Sequence, residues 1–405
     1  MTALTAPLAA PVVVHQPGAH PDARPPLDVL ALGMSWFPEQ AGNGLDRVYH
    51  ALSEHLPATG VHLRGLVAGT AAAERSSQGR VRAFADDTAS LTARLLGARR
   101  AIRRAFADAP PDLVAAHFAL YAAPALDLLG RAPLVVHFHG PWAAESAVEG
   151  ASPTVVRAKH AMERAVYRRA ARYVVLSEAF ERLLVASYGV EAGRVRIVPG
   201  GVDAERFDTG LTRAEARRRL GWSPDRPIVL AVRRLARRMG LEGLLDALRV
   251  IRCQVPDVLL LIAGRGPLED ELAARIRELG LQQHARLLGF VPEENLPLAY
   301  RAADLSIVPT VALEGFGLTT VESLAAGTPV LVTPEGGLPE VVRDLAPALI
   351  CAGSDAASLA DRLTAALRGT CPLPDEDACR AFARERHDWT AVARRVRAVY
   401  DEVAG

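Results

Sequence analysis

Leu305-Ser306-Ile307-Val308-Pro309, then after four residues Glu314-Gly315-Phe316-Gly317-Leu318-Thr319-Thr320-Val321-Glu322, then Ser323-Leu324-Ala325-Ala326-Gly327, is the stretch that decides the fold. The first run reads as a buried strand, the middle as a glycine-rich loop, and the last as a helix end with a glycine stop. A strand, a glycine loop and a helix start aim unpaired backbone N–H groups and a positive helix end at whatever occupies the loop, and a phosphate suits that place. Two glutamates flank the loop. Were the intervening residues helical, the two would stand ~12 Å apart along the axis, too far to share a metal but suited to gripping both ends of an extended polar ligand.

The same pattern recurs outward in both directions. Leu27 to Gly33 reads as a buried strand, followed by a Gly42-Asn43-Gly44 loop and a helix from Leu45 to Leu56. Further strands are expected at Val61–Val67, Asp112–His117, Leu134–Phe138, Arg172–Ser177 and Val195–Val198, with helices at Thr88–Ala107, Leu120–Leu129 and Thr154–Ala171. After the turn cluster Pro199-Gly200-Gly201-Val202-Asp203 the alternation restarts, with strands at Ile228–Val232, Val258–Ala263, Ala285–Gly289, Asp304–Pro309, Pro329–Thr333 and Ala348–Cys351. Such β–α alternation predicts an α/β fold of two doubly wound, Rossmann-like domains facing each other across a cleft. The divisions are a disordered tail over 1–26, an N-terminal domain over 27–205, a C-terminal domain over 206–385 and a last helix over 386–405. Apolar residues at Trp389, Val392, Val396, Val399 and Tyr400 give that helix one packing face, which suits packing back across the domains. Ligands bind at strand C-terminal ends in such sheets, so the chemistry is expected between the domains.

Composition removes several classes. A net charge of +1 argues against a general nucleic-acid binder. Cys253, Cys351, Cys371 and Cys379 form no C-x-x-C pair, so zinc and a disulfide framework are not expected and a reducing cytoplasm is. Residues 1–26 lack the basic start and apolar centre of a signal peptide, and no uncharged stretch is long enough to span a bilayer. Arginine clusters at 99–104 and 164–172 read as solvated helix faces more readily than as a peripheral membrane surface.

Five segments in this order resemble the retaining nucleotide-sugar glycosyltransferases of the two-Rossmann-domain (GT-B) type, family 4. They are Ile197–Asp203, Val232-Arg233-Arg234-Leu235, Ala263-Gly264-Arg265-Gly266-Pro267-Leu268, Leu288-Gly289-Phe290-Val291, and Glu314-Gly315-Phe316-Gly317-Leu318 with Glu322. The resemblance implies that Glu314 contacts the transferred sugar, that Glu322 holds the ribose, and that backbone N–H groups near Phe316, Gly317 and Leu318 approach the diphosphate. It places Gly44 where the backbone nears the donor or acceptor, His139 at the sugar end, Arg234 on the diphosphate, and Arg265, Phe290 and Val291 on the donor side. Strand alternation is taken to set His137 and His139 on opposite faces, with His139 in the site and His117 in reserve. Asn43 stands where the family has a first glycine; Asn tolerates a left-handed backbone.

One departure matters. The family carries lysine before the glycine at 240, and here that residue is Met239, which cannot neutralise a phosphate. Arg233, Arg237 or Arg238 is the candidate replacement, since arginine suits bidentate phosphate binding. The resemblance implies transfer of a hexose-type sugar from a nucleoside diphosphate to an acceptor hydroxyl, with retention. It implies no cofactor and, with no D-x-D motif beside these loops, no required metal. A nucleotide-sugar 2-epimerase of the same architecture and a degenerate nucleotide-sugar-binding protein are the alternatives. Acceptor, sugar and base stay open.

Overall fold

The structure, a computed structural model, describes residues 26–37, 39 and 43–404. The expected tail, up to Pro25, and Gly42 lie outside the described residues. Two parallel sheets organise the chain. The first holds β1 (Leu27–Ser35), β2 (Val61–Ala68), β3 (Val81–Ala85), β4 (Leu113–Ala116), β5 (Leu134–Phe138), β6 (Arg172–Val175) and β7 (Val195–Ile197), in the order β3-β2-β1-β4-β5-β6-β7. The second holds β8 (Ile228–Val232), β9 (Leu259–Ala263), β10 (Ala285–Gly289), β11 (Leu305–Val308) and β12 (Val330–Val332), in the order β10-β9-β8-β11-β12. Every strand pairing is parallel. The strands read as unbroken apolar runs because helices cover both faces. Strand order reverses at β1/β4 in one sheet and at β8/β11 in the other. These are the switch points where loops splay apart and leave a crevice.

Three local features differ from expectation. β3 is a strand that the sequence does not announce: Val-Arg-Ala-Phe-Ala is a half-exposed edge strand in which one residue, Val81, is fully buried, so it gives no apolar run. Leu120–Leu129 is not one helix. Pro124 has no N–H to donate, and the chain forms helical turns at Ala119–Ala122 and Leu126–Leu129 with a 3-10 turn between. Ala348–Cys351 is not a strand; Pro347 opens a 3-10 turn, and a single bridge joins Ile350 to Val332.

The chain leaves the first sheet after β7, and Val202 and Phe207 already belong to the core of the second. It returns at the end. Asp388 bridges to Val202, and helix Trp389–Ala404 lays Trp389, Val392, Val396, Val399 and Tyr400 into the core beneath β1, β2 and β4. Gly201 permits this closure, since a Cβ there would lie 2.6 Å from the Trp389 ring. Of the arginine clusters, Arg99 pairs with Asp127 and Arg172 with Glu402, which removes part of their charge. Among the described residues no helix is long and apolar enough to cross a membrane.

Truncating Trp389 to alanine leaves a cavity between the returning helix and the Gly201 turn. Urea denaturation of Trp389→Ala is expected to show a loss of about 3 kcal/mol in unfolding free energy, as for other buried aromatic truncations. A loss below about 0.5 kcal/mol would show that the helix does not hold the N-terminal core.

Candidate functional site

A cleft of about 650 Å³ lies between the two sheets' strand ends. That is the size of a small-ligand site. All the residues singled out for a donor or for chemistry line it: His139, Gly44, Arg234, Arg238, Arg265, Phe290, Val291, Glu314, Gly315, Phe316, Gly317, Leu318 and Glu322.

The loop after β11 is built by glycine. Gly317 has φ +76°, a left-handed value at the residue preceding helix Leu318–Ala325, and a Cβ there would meet Leu338 at 2.6 Å. The helix therefore starts at Leu318, so Glu314 is in the loop and Glu322 in the helix; the stretch between them is not helical throughout. The Phe316 side chain is spent in the core, with its ring 5.4 Å from that of His387. What this residue offers the cleft is backbone. The Tyr300 hydroxyl donates to Glu322 Oε2 at 3.0 Å.

Arginines gather opposite. Arg233 is buried and its Nη2 reaches Glu314 Oε2 at 2.5 Å, Thr310 Oγ1 at 2.7 Å and Met239 Sδ at 2.7 Å. Burial would raise the Glu314 pKa, but the Arg233 guanidinium more than offsets this and holds it below the ordinary value. Arg238 is half-buried in the cleft, 3.5 Å from Glu145, and Arg234 is exposed with no protein ion pair among the described residues. Arg237 pairs with Glu242 and Glu271 outside the cleft. The guanidinium packed on Met239 is thus that of Arg233, while Arg234 and Arg238 stay open to a ligand. Arg265 lies 5.9 Å from the ring centroid of exposed Phe290.

On the N-terminal wall, Asn43 is extended (φ −134°) and not left-handed. Its side chain caps helix Gly44–His55 by accepting from the Asp46 N–H at 2.8 Å. Gly44 has no packing reason to be glycine: a Cβ would meet nothing closer than a Leu318 methyl at 3.8 Å. His137 and His139 share a face, contrary to expectation, because side chains two apart on a strand point the same way. Their rings lie 6.3 Å apart, and both stack with His117, at 4.0 Å from His137 and 5.2 Å from His139. His117 Nδ1 and His139 Nε2 are 3.0 Å apart, and the Tyr400 hydroxyl is 2.8 Å from His137 Nε2. Three histidine nitrogens lie within 4.8 Å of one another. As metal ligands they are poorly posed: near-parallel rings direct their in-plane lone pairs side by side, and two of the nitrogens face each other. Burial lowers the pKa of all three, His139 to about 3, with mutual repulsion adding for His117 and His137.

Four cleft residues carried no sequence signal. Arg47 pairs with Glu293 of the other domain and lies 3.6 Å from Glu322 Oε1. Glu145 faces Arg238 across the cleft. Glu163 accepts from the Trp142 N–H at 2.9 Å and the Tyr188 hydroxyl at 2.8 Å. Charged residues on helices at these positions read as surface.

The histidine stack sets a pH dependence. Each folded-state pKa lies below the ordinary 6.5, so the unfolded chain binds more protons at mildly acid pH. Stability is full above about 6.5 and is lost as pH falls toward the folded-state values. Urea denaturation between pH 7.5 and 5 is expected to show this fall, about 1.4 kcal/mol per pH unit for each histidine titrating and offset in part by Glu163, whose pKa raised to about 7 acts in the opposite direction, and His139→Asn to remove one histidine's share of it. A slope unchanged by His139→Asn would contradict this.

Two families of known sequences match. That described as "Glycosyltransferase Family 4" covers residues 42–206, and that described as "Glycosyl transferases group 1" covers 212–386. The 2-deoxystreptamine glucosyltransferase of Streptomyces kanamyceticus is 30% identical over 65% of this chain and 70% of its own length. The D-inositol 3-phosphate glycosyltransferase of Nocardia farcinica is 37% identical over 58% of this chain and 54% of its own. The phosphatidyl-myo-inositol mannosyltransferase of Mycobacterium leprae is 39% identical over 41% and 44%. The match thus spans about half the length of the latter two. Among solved structures, Anabaena Alr3699/HepE in complex with UDP and glucose superposes with a TM-score of 0.74 at 22% identity, over 93% of this chain and 100% of that one. From its two matched families, its relative over most of its length and its paired parallel sheets, the chain belongs to the family 4 glycosyltransferases of GT-B architecture.

Proposed function

We propose that the protein is a retaining glycosyltransferase. It moves a hexose-type sugar from a nucleoside diphosphate to an acceptor hydroxyl, without a cofactor or a required metal. The observation that carries this reading is the convergence, in one cleft, of the Glu314–Glu322 loop and the unpaired Arg234. In this reading Glu314 accepts hydroxyls of the sugar, Glu322 those of the ribose, and the amides at Phe316 to Leu318 meet the diphosphate. Arg265 with Phe290 and Val291 flanks the base. Arg234 and Arg238 offset the charge that grows on the departing diphosphate, the task for which Met239 is unsuited. The bond from the anomeric carbon to the phosphate oxygen breaks while the bond to the acceptor oxygen forms on the same face, and the acceptor's proton passes to the leaving diphosphate. His139, held neutral, sits beside the sugar end as a hydrogen-bonding group. Gly44 leaves room for the ligand's approach. The relatives' names span inositol 3-phosphate, phosphatidyl-myo-inositol and 2-deoxystreptamine, so they do not fix the second substrate. The compartment we propose is the cytoplasm, in keeping with four free cysteines.

Incubation with a panel of nucleoside-diphosphate sugars and acceptors, following nucleotide release, acceptor mass and product anomeric configuration, tests the reading. Nucleotide release coupled to an acceptor gaining one hexose in the donor's configuration is expected. Isomerised donor without nucleotide release would establish an epimerase instead, and tight nucleotide binding without turnover a binding protein, the case Met239 raises. Glu322→Ala is expected to raise the donor KM by roughly tenfold or more, because a carboxylate accepting from hydroxyls is lost. An unchanged donor KM would remove Glu322 from the ribose site.

A further inference from the structure

The two walls of the cleft carry opposite charge once the ion pairs within and between them are set aside. On the C-terminal wall Glu314 is taken by Arg233, and Glu293 and Glu322 face Arg47, which leaves Arg234, Arg238 and Arg265. On the N-terminal wall the charged lining residues, among those described, are Glu39, Glu145 and Glu163 with Arg47 as the single cation. Arg47 is engaged by Glu293 and lies at the Glu322 end, away from Trp142 and Glu145. The three histidines on this wall are neutral. Lys159, the chain's sole lysine, does not line the cleft; its Nζ lies 4.1 Å from the Trp142 ring centroid and bonds Ser146.

Around Glu145 the wall is aromatic. Phe118 and Trp142 meet edge to face at 5.2 Å, and Tyr167 and Met34 extend the surface. Glu163 spends its oxygens on two backbone N–H groups and the Tyr188 hydroxyl, and burial lifts it to about 7. Glu39 sits at the rim, where it accepts from Thr70. Glu145 is different. It projects into the cleft with its side chain 25% exposed, Oε1 lies 3.5 Å from Arg238, and Oε2 has no protein partner among the described residues. The His139 Nδ1 nearby is buried and unpartnered. Burial raises the Glu145 pKa, against the pull of Arg238 and Arg234; in the proposed complex a diphosphate draws both guanidiniums to itself, and Glu145 then stays ionised only with another cation beside it. Burying a carboxylate without a partner is costly, so whatever fills the remaining space is selected for supplying a cation.

We infer that the acceptor is a small polyol bearing an ammonium group, held by Glu145 against the Trp142–Phe118 wall, and that phosphorylated or carboxylated acceptors are disfavoured. Carboxylates and aromatic faces are the groups that bind ammonium, as the Lys159 Nζ against the Trp142 ring illustrates, whereas a phosphate here would meet the Glu145 carboxylate. The inference rests on the transferase reading for the word acceptor, but the charge complementarity can be measured without turnover.

The test uses matched ligands: glucose, glucosamine and glucose 6-phosphate, and the parent, amino and phosphorylated forms of one cyclitol. Calorimetry on the full chain loaded with a nucleoside diphosphate is expected to show the amino forms binding about tenfold or more tighter than the parents, and the phosphorylated forms weakest. Glu145→Gln is expected to bring the amino-to-parent ratio to within about twofold, and added salt to lower it in the unaltered protein. Equal or tighter binding of the phosphorylated forms overturns the inference. So does a ratio unchanged in Glu145→Gln, or no binding of either amino form. Should Glu145→Gln not fold, the salt dependence of the unaltered protein decides. Hexose transfer to a parent or phosphorylated ligand, with no preference for the amino forms, would sink this inference and leave the transferase reading standing. Absence of transfer to any ligand, with the amine preference intact, would do the reverse.

Discussion

The buried contact between Arg233 and Glu314 is what the cleft depends on. It joins the end of β8 to the loop after β11, the two sides of the second sheet's switch point, and it brings Thr310 and Met239 into the same cluster. A buried pair of this kind stabilises little compared with apolar packing, yet losing one partner strands a charge at a cost of about 3–5 kcal/mol. Its effect is therefore to fix geometry. With Glu314 ionised and tethered, the glycine loop has one position, and the helix start at Leu318 points in one direction. The backbone around it has no slack. A Cβ on Gly264 would lie 1.9 Å from the Arg233 carbonyl oxygen, so the β9 loop can approach β8 this closely only as glycine.

That cluster also bears on the lysine of the family pattern that this chain lacks. Met239 stands where the resemblance places a lysine. In the fold the Arg233 guanidinium touches the Met239 sulfur. A charge removed from one end of the short segment reappears from the other, on a soft thioether. Since Glu314 neutralises it, Arg233 serves the loop, which in the proposed reading leaves Arg234 and Arg238 to meet a diphosphate. Arg237, equally basic in sequence, turns outward to Glu242 and Glu271 because the 3-10 turn Arg237–Met239 sets successive side chains about 120° apart.

How much of this was legible in the sequence follows from what each feature depends on. Buried parallel strands are written as apolar runs, so eleven of the twelve strands were found, while the edge strand Val81–Ala85 has one buried residue and no such run. The glycine loop is local, and Gly317's positive φ is a property of that loop alone. The face shared by His137 and His139 was also legible; the alternation of strand side chains was applied in the wrong phase, and the stack with His117 from β4 is the consequence. Arg47, Glu145 and Glu293 were not legible. Each looks like a solvated helix or loop charge until the opposite domain is in place, and no spacing within one segment reports on a partner that lies across a cleft.

The last group is the one that gives the cleft its polarity. In the transfer proposed above, a single surface holds a dianionic leaving group at one end and a second substrate at the other, and the two ends must not compete for the same countercharges. Placing arginines on the wall built by β8, β9 and their loops, and carboxylates on the wall built after β5, separates the two demands. Arg238 and Glu145 meet at the boundary, 3.5 Å apart, and satisfy each other until a donor arrives. On the proposed reading, a diphosphate draws Arg238 out of a weak, long pair and leaves Glu145 facing the second substrate. If both proposals hold, binding the donor first would raise affinity for a cationic partner through electrostatics alone, with no change of fold required. The proposed reading therefore implies an order of addition in which the donor precedes the acceptor.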